Sequence, residues 1–150
     1  FLNVEVPGQT TSIRSSQASR KTANVKGFSG TGFAETDKTQ GVQIPVTVDS
    51  EGDYSITFRY ANGNGPVNTK NSCAVRTLCV DGEAVGTVVL PHRGEGNWND
   101  WGMTNGRRVH LAKGQHLISL EFRPEDENMN ISINHALVDY VRLTKLDENP

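Results

Sequence analysis

Two stretches of strict period-two alternation constrain this chain most. In Val42–Val48 the apolar residues are Val42, Ile44, Val46 and Val48, with Gln43, Pro45 and Thr47 between them. In Tyr54–Tyr60 the apolar set is Tyr54, Ile56, Phe58 and Tyr60, against Ser55, Thr57 and Arg59. Successive side chains of a strand point to opposite faces, so this pattern buries one face and wets the other. Asp49–Asp53 contains Gly52 and joins the two stretches as a hairpin. Pro45 has no N–H and confines its strand to a sheet edge or a non-bonded position.

The rest of the chain reads the same way. Leu2–Val6 is an initial strand stopped by Pro7-Gly8, with Asn3 and Glu5 on one face. Ser12–Val25 is polar with scattered β-branched residues and gives two weak strands at most. Cys73–Val80 is a strand, Asp81-Gly82 a turn and Ala84–Leu90 the return strand. Arg107–Leu111, Leu117–Phe122 and Leu137–Leu143 follow, with Ile131–Ile133 as a further short strand. No window carries an apolar i, i+3, i+4, i+7 stripe of helical length. Short strands separated by glycine-rich turns mean an all-β fold, and 150 residues suit one domain. The expectation is a jelly-roll-like antiparallel β-sandwich of about ten strands.

Charge and motifs then exclude several function classes. The net charge is −2 and no basic cluster occurs, so nucleic acid and anionic membrane are not expected partners. No stretch approaches the roughly 18 apolar residues that span a bilayer. Gly27–Phe33 is glycine-rich, but no Gly-Lys-Ser/Thr and no helical pattern follow, which argues against a phosphate loop. His92, His110, His116 and His135 lack metal-ligand spacing, and His110 and His116 read as surface residues. There is no Gly-x-Ser-x-Gly elbow, and Glu95, Asp100, Glu125 and Glu127 read as ordinary loop acids rather than a hydrolytic pair. The chain therefore does not read as an enzyme. Cys73 and Cys79 are six residues apart on one strand, about 20 Å, too far for a disulfide, which needs Cα atoms within about 7 Å. The chain begins at Phe1 and reads as a fragment of a larger protein.

Both tryptophans fall in Gly94–Thr104, which reads Gly-Glu-Gly-Asn-Trp-Asn-Asp-Trp-Gly-Met-Thr. A buried strand would not surround two indoles with Gly, Asn and Asp. A loop presenting flat apolar faces beside amides would suit a sugar, which has apolar C–H faces and polar edges. The competing reading is that one or both indoles plug the end of the core. Ala61–Asn71 is a second long polar loop, with Asn62, Asn64 and Asn68 offering amide donors and acceptors.

A series of short motifs resembles the carbohydrate-binding modules of families 6 and 35. It runs Gly30-Thr31-Gly32-Phe33, then Gly52-Asp53-Tyr54 and Phe58-Arg59-Tyr60-Ala61-Asn62-Gly63. It continues with Val80-Asp81-Gly82, Trp98-Asn99-Asp100-Trp101, Leu111–Ile118 and Val138-Asp139-Tyr140-Val141. The resemblance implies a β-sandwich of the galactose-binding-domain-like type. Such a domain binds a polysaccharide or oligosaccharide without cleaving it, beside a catalytic glycoside hydrolase or lyase domain of the same chain. It places the protein outside the cell, at the cell surface or in the periplasm.

The implied sugar site is a cleft at the loop end, walled by Phe33 and by Trp98 or Trp101. Trp98 is preferred, because Trp101 begins the next strand and could plug the core. Asn62, Asn64 and Asn97 would add hydrogen bonds. The family's Asn before the final Asp is Leu137 here, and Asn134 or His135 could substitute. The resemblance also implies a structural calcium held by Asn3, Glu5 and Asp139. The alternative from a different class is a β-sandwich that packs against a catalytic domain and binds no sugar.

Overall fold

The computed structural model describes residues 2–7, 12–14, 22–24, 32–36, 41–61, 73–91, 101–123 and 136–146. The described residues form strands β1 (Leu2–Glu5), β2 (Ser12–Arg14), β3 (Thr22–Asn24), β4 (Ala34–Thr36), β5 (Val42–Val48) and β6 (Gly52–Ala61). β7 (Cys73–Val80), β8 (Glu83–Pro91), β9 (Gly102–Met103), β10 (Arg107–Leu111), β11 (Gly114–Glu121) and β12 (Ala136–Lys145) follow. One sheet runs β1-β12-β6-β10, with β4 paired to β12 and β9 paired to β6. A second sheet runs β5-β11-β7-β8, and β2 pairs with β3 apart from both.

The alternation decides which faces meet. In β5 every second residue is buried, from Val42 to Val48, while Gln43, Pro45 and Thr47 are exposed. In β6 the buried set is Tyr54, Ile56, Phe58 and Tyr60. These two sets belong to one cluster with Leu78, Leu90, Ile118, Leu120, Val138 and Val141, drawn from the inner faces of both sheets. Fully burying a side chain of this size stabilises the fold by roughly 1.5–3 kcal/mol.

Both edges of the second sheet are protected. β5 lies at the end of the order, so Pro45, opposite Leu117, interrupts no inner ladder. At the other end, the long strand β8 meets side chains instead of a strand. Asn105 Oδ1 accepts from Val89 N at 2.9 Å, and Asn105 Nδ2 and Arg107 Nε donate to Thr87 O at 3.3 and 2.8 Å. Occupied in this way, the edge is a poor template for another strand.

The strands over Val42–Val48, Cys73–Val80 and Arg107–Leu111 have the bounds expected for them. β4, three residues long, was not expected as a strand, and β9 starts one residue after Trp101, where a strand was expected to begin. Ile131–Ile133 lies outside the described residues. Cys79 is buried and free, and burial pushes its thiol pKa up.

The Asp81-Gly82 turn is clamped to β11. Asp81 has φ 53° and Gly82 φ 86°, the left-handed region that glycine occupies at least cost. Asp81 N donates to Leu117 O at 2.8 Å, and Leu117 N donates back to Asp81 Oδ1 at 2.8 Å. His116 reaches Asp81 Oδ2 through Nδ1 and Ala112 O through Nε2, both at 2.7 Å. Both partners only accept, so both ring nitrogens must carry protons and the ring is an imidazolium. The Ala112 carbonyl and then the Asp81 carboxylate raise the pKa of His116, which is half-buried rather than a plain surface residue.

Two predictions follow from this packing. A folded-state pKa above the ordinary 6.5 gives stability that is fully present below pH 6.5 and lost as pH rises through the raised value. His116→Gln is therefore expected to lose most stability below pH 6.5 and little at alkaline pH, as read by urea unfolding across that range. Phe58→Ala, at a site with no exposed surface on a central strand, is expected to cost about 3–5 kcal/mol in the same assay.

Candidate functional site

Four strands lie side by side at one end of the first sheet. β4 pairs with β12 through Val138↔Ala34 and Leu137↔Glu35. β12 pairs with β6 from Leu137↔Ala61 onward. β6 pairs with β9 through Arg59↔Met103 and Tyr60↔Gly102. Phe33 immediately precedes β4, and Trp101 immediately precedes β9. The two aromatic rings thus enter from opposite flanks of the β12–β6 pair, and their centroids lie 5.8 Å apart at 56°.

The register of β12 against β6 slips between Val138 and Tyr140, so Asp139 is the extra residue of a bulge. A bulge re-aims the side chain it carries. Asp139 is fully buried, and Arg59 Nη1 donates to its Oδ2 at 2.8 Å. The Arg59 guanidinium in turn lies 5.5 Å from the centroid of Trp101, within cation–π range. Thr104 anchors the segment after Trp101: its N–H donates to Phe58 O at 2.9 Å, and its Oγ1 accepts from Phe58 N at 3.0 Å.

Several sequence expectations change here. Phe33 has no exposed surface, so it supports Trp101 from below instead of forming an open cleft wall. Trp101 is partly exposed and stands outside the buried core cluster, so it does not plug the core. Leu137 is fully buried between Ala61 and Glu35, a packing position with no surface for a ligand. Asn62, Asn64, Asn97, Trp98, Asn134 and His135 lie outside the described residues. Sequence reasoning missed Arg59. The available signal was a charge interrupting the Ser55–Thr57 polar face of β6 right beside the loop end.

The expected calcium donors occupy β1 and β12, which are paired. Glu5 stands opposite Tyr140, next to Asp139, and two carboxylates at neighbouring positions suit calcium in kind. Asn3 stands farther along, opposite Arg142, and its Oδ1 accepts from Arg142 Nε at 2.9 Å. Asn3 Oδ1 is thereby engaged by Arg142, just as Asp139 Oδ2 is by Arg59. No group of three or more His, Cys, Asp or Glu side chains gathers among the described residues.

The opposite end of β6, six residues and about 20 Å away, carries an exposed ion network. Arg108 and then His110 hold the Asp53 carboxyl below its usual range, and Glu51 and then Asp53 raise the pKa of His110. His110 contacts Asp53 at 2.8 Å and Glu51 at 2.9 Å. Exposed pairs of this kind contribute little to stability.

Comparison with known proteins accords with this geometry. The model for the carbohydrate binding module (family 6) matches residues 9–145. A cycloisomaltooligosaccharide glucanotransferase of Niallia circulans is 31% identical over 125 residues, covering 82% of this chain and 12% of that protein. Endo-1,4-beta-xylanase B of Cellvibrio japonicus is 37% identical over 101 residues, covering 65% of this chain and 15% of that protein. The chain thus spans a small part of each. Among solved structures, a family 35 carbohydrate binding module from an environmental isolate has a TM-score of 0.65 at 20% identity, covering 96% of this chain and 93% of that one. The structure of Xyl-CBM35 with a glucuronic acid containing disaccharide has a TM-score of 0.65 at 24% identity, covering 98% and 95%. These likenesses extend over the whole sandwich, and with the family match they make this chain a member of the family 6 carbohydrate-binding modules, a non-catalytic sugar-binding domain.

Proposed function

We propose that this domain holds a neutral polysaccharide chain against Trp101, at the end of the first sheet, and so keeps an attached carbohydrate-active enzyme on its substrate. The observation that carries this reading is a partly exposed indole fixed at the end of a paired strand, beside Phe33 and Arg59. A flat apolar face offered to solvent suits the C–H face of a pyranose. The nearby cation is engaged by a buried carboxylate, so the site favours neutral sugars over acidic ones. The names of the relatives support xylan and α-1,6-glucan as the first ligands to try. They also support an extracellular, cell-surface or periplasmic setting. No helix among the described residues is long and apolar enough to cross a membrane.

Calcium forms the second part of the proposal. Glu5 and Asp139 would hold it, with other oxygens completing the six to eight that the ion takes. It would supply positive charge and a tie between the first and last strands.

Two measurements check these readings. Trp101→Ala is expected to weaken binding of soluble xylan or dextran fragments by about 2 kcal/mol or more in calorimetric titration. Its melting should fall by less than that of a core aromatic truncation, because Trp101 lies outside the core cluster. Unaltered affinity would remove Trp101 from the site. Calcium binding only the folded state must raise the melting temperature as its concentration rises. A melting temperature indifferent to both added calcium and chelator would end that part of the proposal.

A further inference from the structure

We propose that Arg59 is the positioning residue of the sugar platform, held in place by Asp139 and in turn holding the indole of Trp101. The inference rests on Trp101 being the platform, as proposed above. Asp139 is fully buried, and a buried carboxylate needs a compensating partner. Arg59 supplies one at 2.8 Å while its own side chain stays 25% exposed, so the guanidinium spans from the sheet to the surface. At the surface it lies 5.5 Å from the Trp101 centroid.

Phe33, itself with no exposed surface, meets the indole at 56° with centroids 5.8 Å apart. The indole is thus held by a buried ring and a paired cation. β9 is only two residues long, so its pairing alone would leave the preceding Trp101 poorly oriented. An aromatic face fixed before the ligand arrives loses less freedom on binding. Lysine would not replace arginine here, because the planar guanidinium can pair with a carboxylate and lie against a ring at once.

Emission is read in the Trp98→Phe background, where Trp101 is the remaining indole, and affinity is read without that change, each against its own parent. Arg59→Lys keeps a cation for Asp139 but removes the planar group. Expected are a red-shifted emission, stronger quenching by acrylamide, and binding of xylan or dextran fragments weaker by about tenfold, with melting little changed. Parental affinity and emission in a folded Arg59→Lys domain would overturn the proposal.

If Arg59→Lys does not fold, Arg59→Gln takes its place, which keeps a hydrogen-bond donor for Asp139 and leaves that carboxylate intact while removing the cation. The same loss of affinity and the same spectral change are then expected, and their absence overturns the inference. Trp101→Ala separates the two levels. If it leaves binding intact, the platform reading fails and the positioning role falls with it. If it abolishes binding while Arg59→Lys does not weaken it, only the positioning role fails.

Discussion

The antiparallel pairing of β6 with β12 is the interaction on which the rest of the molecule leans. It runs from Leu137↔Ala61 to Lys145↔Tyr54, and each strand carries further partners on its outer edge. The inner faces of the pair supply Ile56, Phe58, Val138 and Val141 to the core. Their outer faces carry the Arg59–Asp139 pair. One pair of strands therefore joins stability to recognition. The core makes the sheet rigid, and the rigid sheet gives the surface groups fixed positions.

The slip at Asp139 shows how that coupling is managed. A buried carboxylate without compensation would cost several kcal/mol, and paired with a guanidinium it is tolerated. Such pairs are weak evidence for stability, since apolar replacements often do as well. What the pair does here is geometric. The pair fixes the direction of a cation, and the cation lies against an aromatic ring. A hydrophobic pair would fill the same space without aiming anything.

The sandwich was legible because its signal is local. Val42–Val48 and Tyr54–Tyr60 alternate cleanly, since one face is buried along the whole strand, and the edge position of β5 follows from Pro45 alone. β4 was not legible, because it is three residues long and exists where β12 accepts its hydrogen bonds. The site was half legible. Trp101 stood out by its setting among Gly, Asn and Asp and Phe33 only through the family resemblance, but their exposure depends on which strand flanks them. Phe33 is buried and Trp101 partly exposed because the two rings meet over the sheet, a relation between residues far apart in the chain. Arg59 could be seen as a charge on a polar face. Its pairing with Asp139 could not, because the two meet across the β6–β12 ladder from positions far apart in the chain.

The burial of Phe33 bears on how tightly such a domain can hold a sugar. Two opposed exposed rings would clasp a pyranose from both sides, while among the described residues one partly exposed ring backed by a buried one offers a single platform. A single platform buries less apolar area in the complex, so more of the affinity must come from directed hydrogen bonds at the sugar's edges. It also leaves the opposite side of the sugar open, which suits a long chain lying across the sheet end better than a terminal residue enclosed in a pocket. An attached enzyme gains more from that arrangement than from tight capture. Weak, single-faced contact lets the domain release and rebind along a polymer, and linkage in one chain supplies the effective concentration that the individual contact lacks.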